Sequence, residues 1–171
     1  MPSARCYDAV VPQEIERKFL LSGDGWRRAV HRQRAMRQGY LAQSDRASVR
    51  VRIAGEEAWI NIKGGGLVAS RPEFEYSIPR AEAEEMLTLC AGPLIEKTRH
   101  WVLHDGNEWE IDEFYGENLG LVVAEIELDR EDQVFALPDW VGPEVTHLPR
   151  YYNVSLVRHP YREWNATERS P

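Results

Sequence analysis

Short segments in which apolar and polar residues alternate run along most of this chain. A two-residue period marks a strand with one buried face. It predicts strands over 14–21, 38–43, 48–54, 58–63, 73–78, 98–103, 108–114, 121–129 and 151–157. Asp105-Gly106 lies between two of them and predicts a hairpin turn. Gly64-Gly65-Gly66 predicts a flexible loop. Trp26, Ala29 and Val30 lie on one side of a helix predicted over 25–37, with Asp24 as its candidate N-cap. A second helix is predicted over 80–91, where Met86, Leu87, Leu89 and Cys90 supply the apolar side and Gly92-Pro93 ends it. A shorter one is predicted over 131–135. With many strands and no regular βαβ alternation, the fold class is α+β, mainly β: an antiparallel sheet or barrel with helices packed outside.

The polar faces of these strands are chemically uniform. Residues i and i+2 of a strand point the same way, roughly 6.5 Å apart. On that rule Glu14, Glu16 and Lys18 share a face, as do Arg50 and Arg52. So do Glu73 and Glu75, Lys97 and Arg99, Glu110 and Asp112, and Glu125, Glu127 and Asp129. Lys63 extends the face of Trp59 and Asn61. Solvent on one side of an antiparallel sheet explains any one charged face. Repetition across strands needs more, because like charges two residues apart repel and their pKa values separate. Carboxylate pairs suit Mg²⁺ or Mn²⁺, hard ions that take oxygen ligands. Arginine pairs suit phosphate oxygens through paired hydrogen bonds. A polyanion accompanied by divalent cations would satisfy both sets, inside a barrel whose charged face turns inward.

Composition narrows this picture. A chain of 171 residues is expected to form one domain and to bury a core without staples. The net charge of −7 argues against general nucleic-acid binding. Residues 1–99 carry 16 Lys and Arg against 13 Asp and Glu, and residues 100–171 carry 5 against 15, so both signs can meet in one fold. Among the basic residues only Lys18, Lys63 and Lys97 are lysines, which points to positions where a compact charge is needed. No apolar run approaches the length of a membrane span, and the first 30 residues carry no secretory h-region. Two cysteines, Cys6 and Cys90, form no paired motif. The expectation is a cytoplasmic protein with no membrane or nucleic-acid partner.

Taken in order, these segments resemble the CYTH family, also called triphosphate tunnel metalloenzymes. The similarity rests on EIERKFL at 14–20, RQGYL at 37–41, VRVR at 49–52, INIKG at 60–64 and EFE at 73–75. It continues through EKTR at 96–99, WEIDEF at 109–114, AEIEL at 124–128 and YYNVSL at 151–156. It covers about residues 12–156 of a single domain spanning 1–171, leaving 1–11 and 157–171 as surface extensions. The resemblance implies an eight-stranded antiparallel β-barrel around a charged tunnel, acting on triphosphates with Mg²⁺ or Mn²⁺. It implies metal binding by Glu14, Glu16, Glu125 and Glu127. It implies triphosphate contacts from Lys18, Arg50, Arg52, Lys63, Lys97 and Arg99. Glu73, Glu75 and Asp112 would line the tunnel, as outer metal ligands or as partners for the cations. Tyr40 matches a tyrosine that works with the signature lysine, here Lys18, in activating water; a packed strand aromatic is the alternative. His147-Leu148-Pro149 departs from the short members' pattern and leaves the tunnel lid, and so substrate choice, open.

The function implied is metal-dependent hydrolysis of a triphosphate, with inorganic tripolyphosphate first because nothing in the chain suggests a pocket for a base. Adenylate cyclase or thiamine-triphosphatase activity is the alternative within the resemblance, and an apolar slot at the tunnel mouth would favour the cyclase. A non-catalytic module for polyphosphate or organic phosphates would need the cations but not the full carboxylate set. RNA 5′-triphosphatase activity is disfavoured by the negative charge. Trp59, Trp101 and Trp109 are read as core or helix-contact residues. The apolar outer faces could be covered by helices or by a second subunit, so a homodimer fits.

Overall fold

The computed structural model describes residues 13–65 and 70–170. The expected extension at 1–11 and Gly66 of the predicted loop lie outside the described residues. Nine strands form one sheet: β1 (Gln13–Leu21), β2 (Val30–Gln43), β3 (Ala47–Ala54), β4 (Glu57–Gly64), β5 (Ser70–Ser77), β6 (Ile95–His104), β7 (Asn107–Phe114), β8 (Val122–Glu127) and β9 (Val141–Glu144). Their order is β5-β4-β3-β2-β6-β7-β8-β1-β9. All the pairings are antiparallel, and β1 also pairs with β5 from Gln13↔Pro72 to Ile15↔Ser70. The helices are α1 (Arg80–Thr88), α2 (Asn153–Arg158) and α3 (Ala166–Arg169).

The mainly β, antiparallel architecture matches the sequence pattern, but the sheet has nine strands where eight are expected. The extra one, β9, contains Gly142-Pro143, two residues that lower strand propensity. Proline is tolerated there because β9 is an edge strand. The helix expected over 25–37 is instead a single 3-10 turn, Gly25–Ala29, followed by the long strand β2. Pairing of β2 with β3 on one edge and β6 on the other outweighs a local helical spacing. The strand expected over 151–157 is a 3-10 turn and α2, whose alternate residues Val154 and Leu156 enter two different apolar clusters. No helix forms over 131–135; Phe135 there packs against Phe19 and Trp109.

The apolar strand faces turn outward and are covered. Val51, Ile53 and Ala58 pack under Ala83 and Leu87 of α1. Phe19, Val102, Trp109, Ile111 and Ile126 pack under Trp26 of the 3-10 turn and the segment bearing Phe135 and Trp140. The C-terminal residues, expected as an extension, are anchored in the core: Trp164 joins Tyr151, Leu156, Ile95, Phe114 and Val123. By strand alternation Ile95, Phe114 and Val123 share the inner face of Lys97, Asp112 and Glu125. The C-terminal segment therefore covers an apolar end of the inner face.

Gly39 of β2 lies where α1 runs into the next loop. A Cβ added there would fall 2.7 Å from Cys90 Sγ and 2.8 Å from Leu94 Cδ2. Gly39→Ala should therefore cost about 1–3 kcal/mol through overpacking, read as a lower urea midpoint with an unchanged m-value.

Candidate active site

Directly opposed residues of antiparallel strands lie on the same face. The register thus carries the charged face from strand to strand. Tyr40 opposes Arg50, Arg50 opposes Asn61 and Asn61 opposes Glu75, while Lys63 opposes Glu73. On the other side Arg99 opposes Asp112, Glu110 opposes Glu125, Lys18 opposes Glu125, and Glu16 opposes Glu127. These faces surround a cavity of about 1220 Å³. Among the described residues lining it are eight cationic and eight carboxylate side chains.

The charges inside form a network. Lys18 Nζ binds Glu125, lies 3.0 Å from Glu16, and sits 5.0 Å above the Tyr152 ring. Arg99 donates to Asp112 through Nε (2.7 Å) and Nη2 (2.6 Å), to Glu125 (2.8 Å), and to Glu110. Lys97 Nζ binds Asp112. On the facing strands Arg52 donates to Glu75 at 2.8 Å, Lys63 lies 3.3 Å from Glu73, and Arg50 lies 3.8 Å from the same carboxylate.

These surroundings set the protonation states. Burial penalises the charged form of Lys18, but Glu125 and Glu16 outweigh it and the pKa is raised, so Lys18 is a fixed cation. Burial likewise works against the charges of Glu125 and Asp112, yet the adjacent cations hold both below the usual carboxylate range. Lys97 is lowered to about 8, by burial first and also by the nearby Arg99. Arg52 is lowered to about 10, by burial and then by repulsion from Arg50 and Arg99. The Nε donors of Arg50 and Arg52 are buried without hydrogen-bond partners. Cations that repel one another and keep unspent donors form a site for an anion with several oxygens.

The structure brings most of the expected residues together. Glu16, Lys18, Tyr40, Arg50, Arg52, Lys63, Glu73, Glu75, Arg99, Glu125 and Glu127 line the cavity. Lys97 and Asp112 share this face but lie beneath it, 2% and 0% exposed. Glu14 pairs through its backbone with Arg71; its side chain lies outside the described residues. Among the described residues no three carboxylates converge as a ready-made metal-binding group.

Other lining residues were not expected. Trp59 and Trp101 face the cavity rather than an outer core, while Trp109 is fully buried on the outer side. Trp101 Nε1 donates to Glu110 Oε1 at 2.9 Å, and Arg32 stacks 4.0 Å from the Trp101 ring centroid. Parity along the strand could have placed both tryptophans, since Trp59 shares a face with Asn61 and Lys63, and Trp101 with Arg99. Arg32 and Arg34 were hidden by the helix predicted there. Arg158 comes from α2, beyond the motifs.

Comparison with known proteins agrees with this geometry. The family model for the CYTH domain matches residues 12–161. The chain belongs to the CYTH family. An inorganic triphosphatase of Acetivibrio thermocellus is 47% identical over 153 residues, covering 89% of this chain and 97% of that protein. An inorganic triphosphatase of Nitrosomonas europaea is 40% identical over 151 residues, covering 84% and 96%. A crystal structure of an inorganic triphosphatase aligns with TM-score 0.61 and 36% identity over 84% of this chain and 93% of that one. A Hippeastrum protein described as a putative adenylyl cyclase with a dominant triphosphatase activity shares the fold alone, at TM-score 0.57 and 14% identity. The CYTH match ends beyond the last sequence motif and takes in α2.

The buried network makes a stability prediction. Asp112→Ala would leave Lys97 and Arg99 without their shared carboxylate and should cost about 3–5 kcal/mol. Replacing the pair together, Lys97→Met with Asp112→Leu, should recover much of that loss in urea unfolding.

The depressed carboxylates add a pH dependence. Their contribution is fully present above the ordinary carboxylate pKa of about 4 and is lost as pH falls through the lower folded-state values. Stability should drop with acid below about pH 4, and Glu125→Gln should flatten that drop.

Proposed function

We propose that this protein hydrolyses triphosphates in a divalent-metal-dependent reaction, with inorganic tripolyphosphate converted to pyrophosphate and phosphate. One observation carries the reading: Arg50 and Arg52, with buried and unspent Nε donors, face carboxylates across the cavity. Both 40–47% identical relatives are inorganic triphosphatases, which supports the same chemistry here. The eight strands β1 to β8 act as a ring around the substrate, a reading supported by the β1–β5 pairings.

Arg50, Arg52, Lys63 and Arg99 bind the phosphate oxygens. Arg52 gains most, because an anion there turns its repulsion from Arg50 and Arg99 into shared attraction. The donor set for Mg²⁺ or Mn²⁺ is of the right chemistry: Glu16, Glu125 and Glu127 present hard oxygens on adjoining strands. Glu14 joins them through the family resemblance. A bound divalent ion would neutralise phosphate charge and polarise the phosphorus centre. Lys18 acts as a positioned cation, since Glu125 and Glu16 hold it protonated. Tyr40 lies on the same wall, packed against Tyr152 and Val154, and is the candidate for orienting the attacking water. Phosphoryl transfer asks little more of a protein than this positioning and charge stabilisation.

A second reading has an observation of its own. Trp59, Trp101, Met36 and Ala54 give part of the wall an apolar character, as a slot for a base requires. Tripolyphosphate, ATP and thiamine triphosphate, each assayed with Mg²⁺, with Mn²⁺ and with chelator, separate the readings. Metal-dependent release of one phosphate from tripolyphosphate is expected, with little from ATP. Pyrophosphate from ATP would identify a cyclase, and binding without turnover a receptor. Glu16→Ala and Glu127→Ala should each lower turnover at least ~100-fold while the folded far-UV spectrum persists. Full metal-dependent activity in either variant would disprove the assigned metal donors.

A further inference from the structure

We propose that Arg158, on the C-terminal helix, is a substrate-binding residue that takes an end phosphoryl group of the polyphosphate. The inference rests on the triphosphatase reading and names a contact outside the sheet. Each other cation lining the cavity already has a carboxylate partner among the described residues. Lys18 has Glu16 and Glu125, Arg52 has Glu75, Arg32 has Glu108 and Arg34 has Glu57. Arg158 lines the same cavity, and no carboxylate among the described residues lies within 4.0 Å of it. Arg158 is exposed, and its donors are not spent on the fold.

The backbone around Arg158 is fixed. Val154 packs on Tyr40 and Tyr152, and Leu156 is wholly buried beside Ile95. Immediately after Arg158, the His159 N–H donates to the Ser155 carbonyl at 2.9 Å, and the His159 carbonyl accepts from Trp164 Nε1 at 3.0 Å. The helix thus holds an uncompensated guanidinium at the edge of the cavity, beside the wall that carries Tyr40. A planar fork of donors suits the non-bridging oxygens of an unsubstituted terminal phosphate. The sheet cations, tied to carboxylates, bind the interior of the chain. Arg158 then selects for a free phosphate end, a feature that tripolyphosphate has at both termini and a nucleotide at only one.

The test is calorimetric binding of sodium tripolyphosphate, with and without Mg²⁺, together with steady-state hydrolysis. It compares wild type, Arg158→Ala, Arg158→Lys and Arg162→Ala. Arg162 is an exposed control that pairs with Glu117 away from the cavity. Arg158→Ala should weaken binding and raise KM by about tenfold or more, with kcat changed far less and the urea midpoint unmoved. Arg158→Lys should recover part of the affinity, and Arg162→Ala should match wild type. Binding by Arg158→Ala equal to wild type, or a loss no larger than in Arg162→Ala, would overturn the assignment while leaving the triphosphatase reading standing. Wild type that neither binds nor cleaves tripolyphosphate would overturn both.

Discussion

Lys18, Lys97, Arg99, Asp112 and Glu125 are each less than a tenth exposed, and they touch one another in an unbroken chain of ion pairs. Bringing each such charge out of water costs several kcal/mol, which only close partners of opposite sign offset. The five groups come from four strands, β1, β6, β7 and β8. Their mutual satisfaction therefore requires the register that those strands adopt. A one-residue slip of any of these strands would turn its own charged residues to the apolar side. The network is a constraint on the fold as much as a part of the site.

The same constraint shapes the chemistry. Among the described residues lining the cavity, carboxylates and cations pair with one another, as Lys18 does with Glu125 and Arg52 with Glu75. Arg50 and Arg52 keep buried Nε donors without hydrogen-bond partners. Outside the sheet, α1, the 3-10 turn around Trp26 and the C-terminal segment cover the apolar faces. They keep the charged face as the interior one.

Much of this was legible along the chain. Parity alone put Glu16 with Lys18, Arg50 with Arg52, and Glu125 with Glu127, since a strand has a fixed two-residue period. Parity could not say that Lys97 and Asp112 lie beneath the cavity wall. That depth depends on Phe114, Val123 and the C-terminal residues filling the adjoining end. The helix expected over 25–37 failed for a related reason. Its residues gain more from hydrogen bonds to β3 and to β6, the latter distant in sequence, than from a local helix. The same pairing brings Arg32 and Arg34 to the cavity, which a helix over 25–37 would not.

The amino-acid sequence by itself determined the alternation of charge and apolarity, and with it the strands, the chemistry of the inner face and the family. These are short-range properties, fixed by backbone geometry and by which side chains tolerate water. Only the tertiary structure decided which charges meet, how deeply each is buried, and that Arg158 reaches the cavity from beyond the last motif. Those properties depend on strand register and on the packing of the C-terminal segment, where the contacts join residues more than a hundred positions apart, as in Lys18 and Glu125.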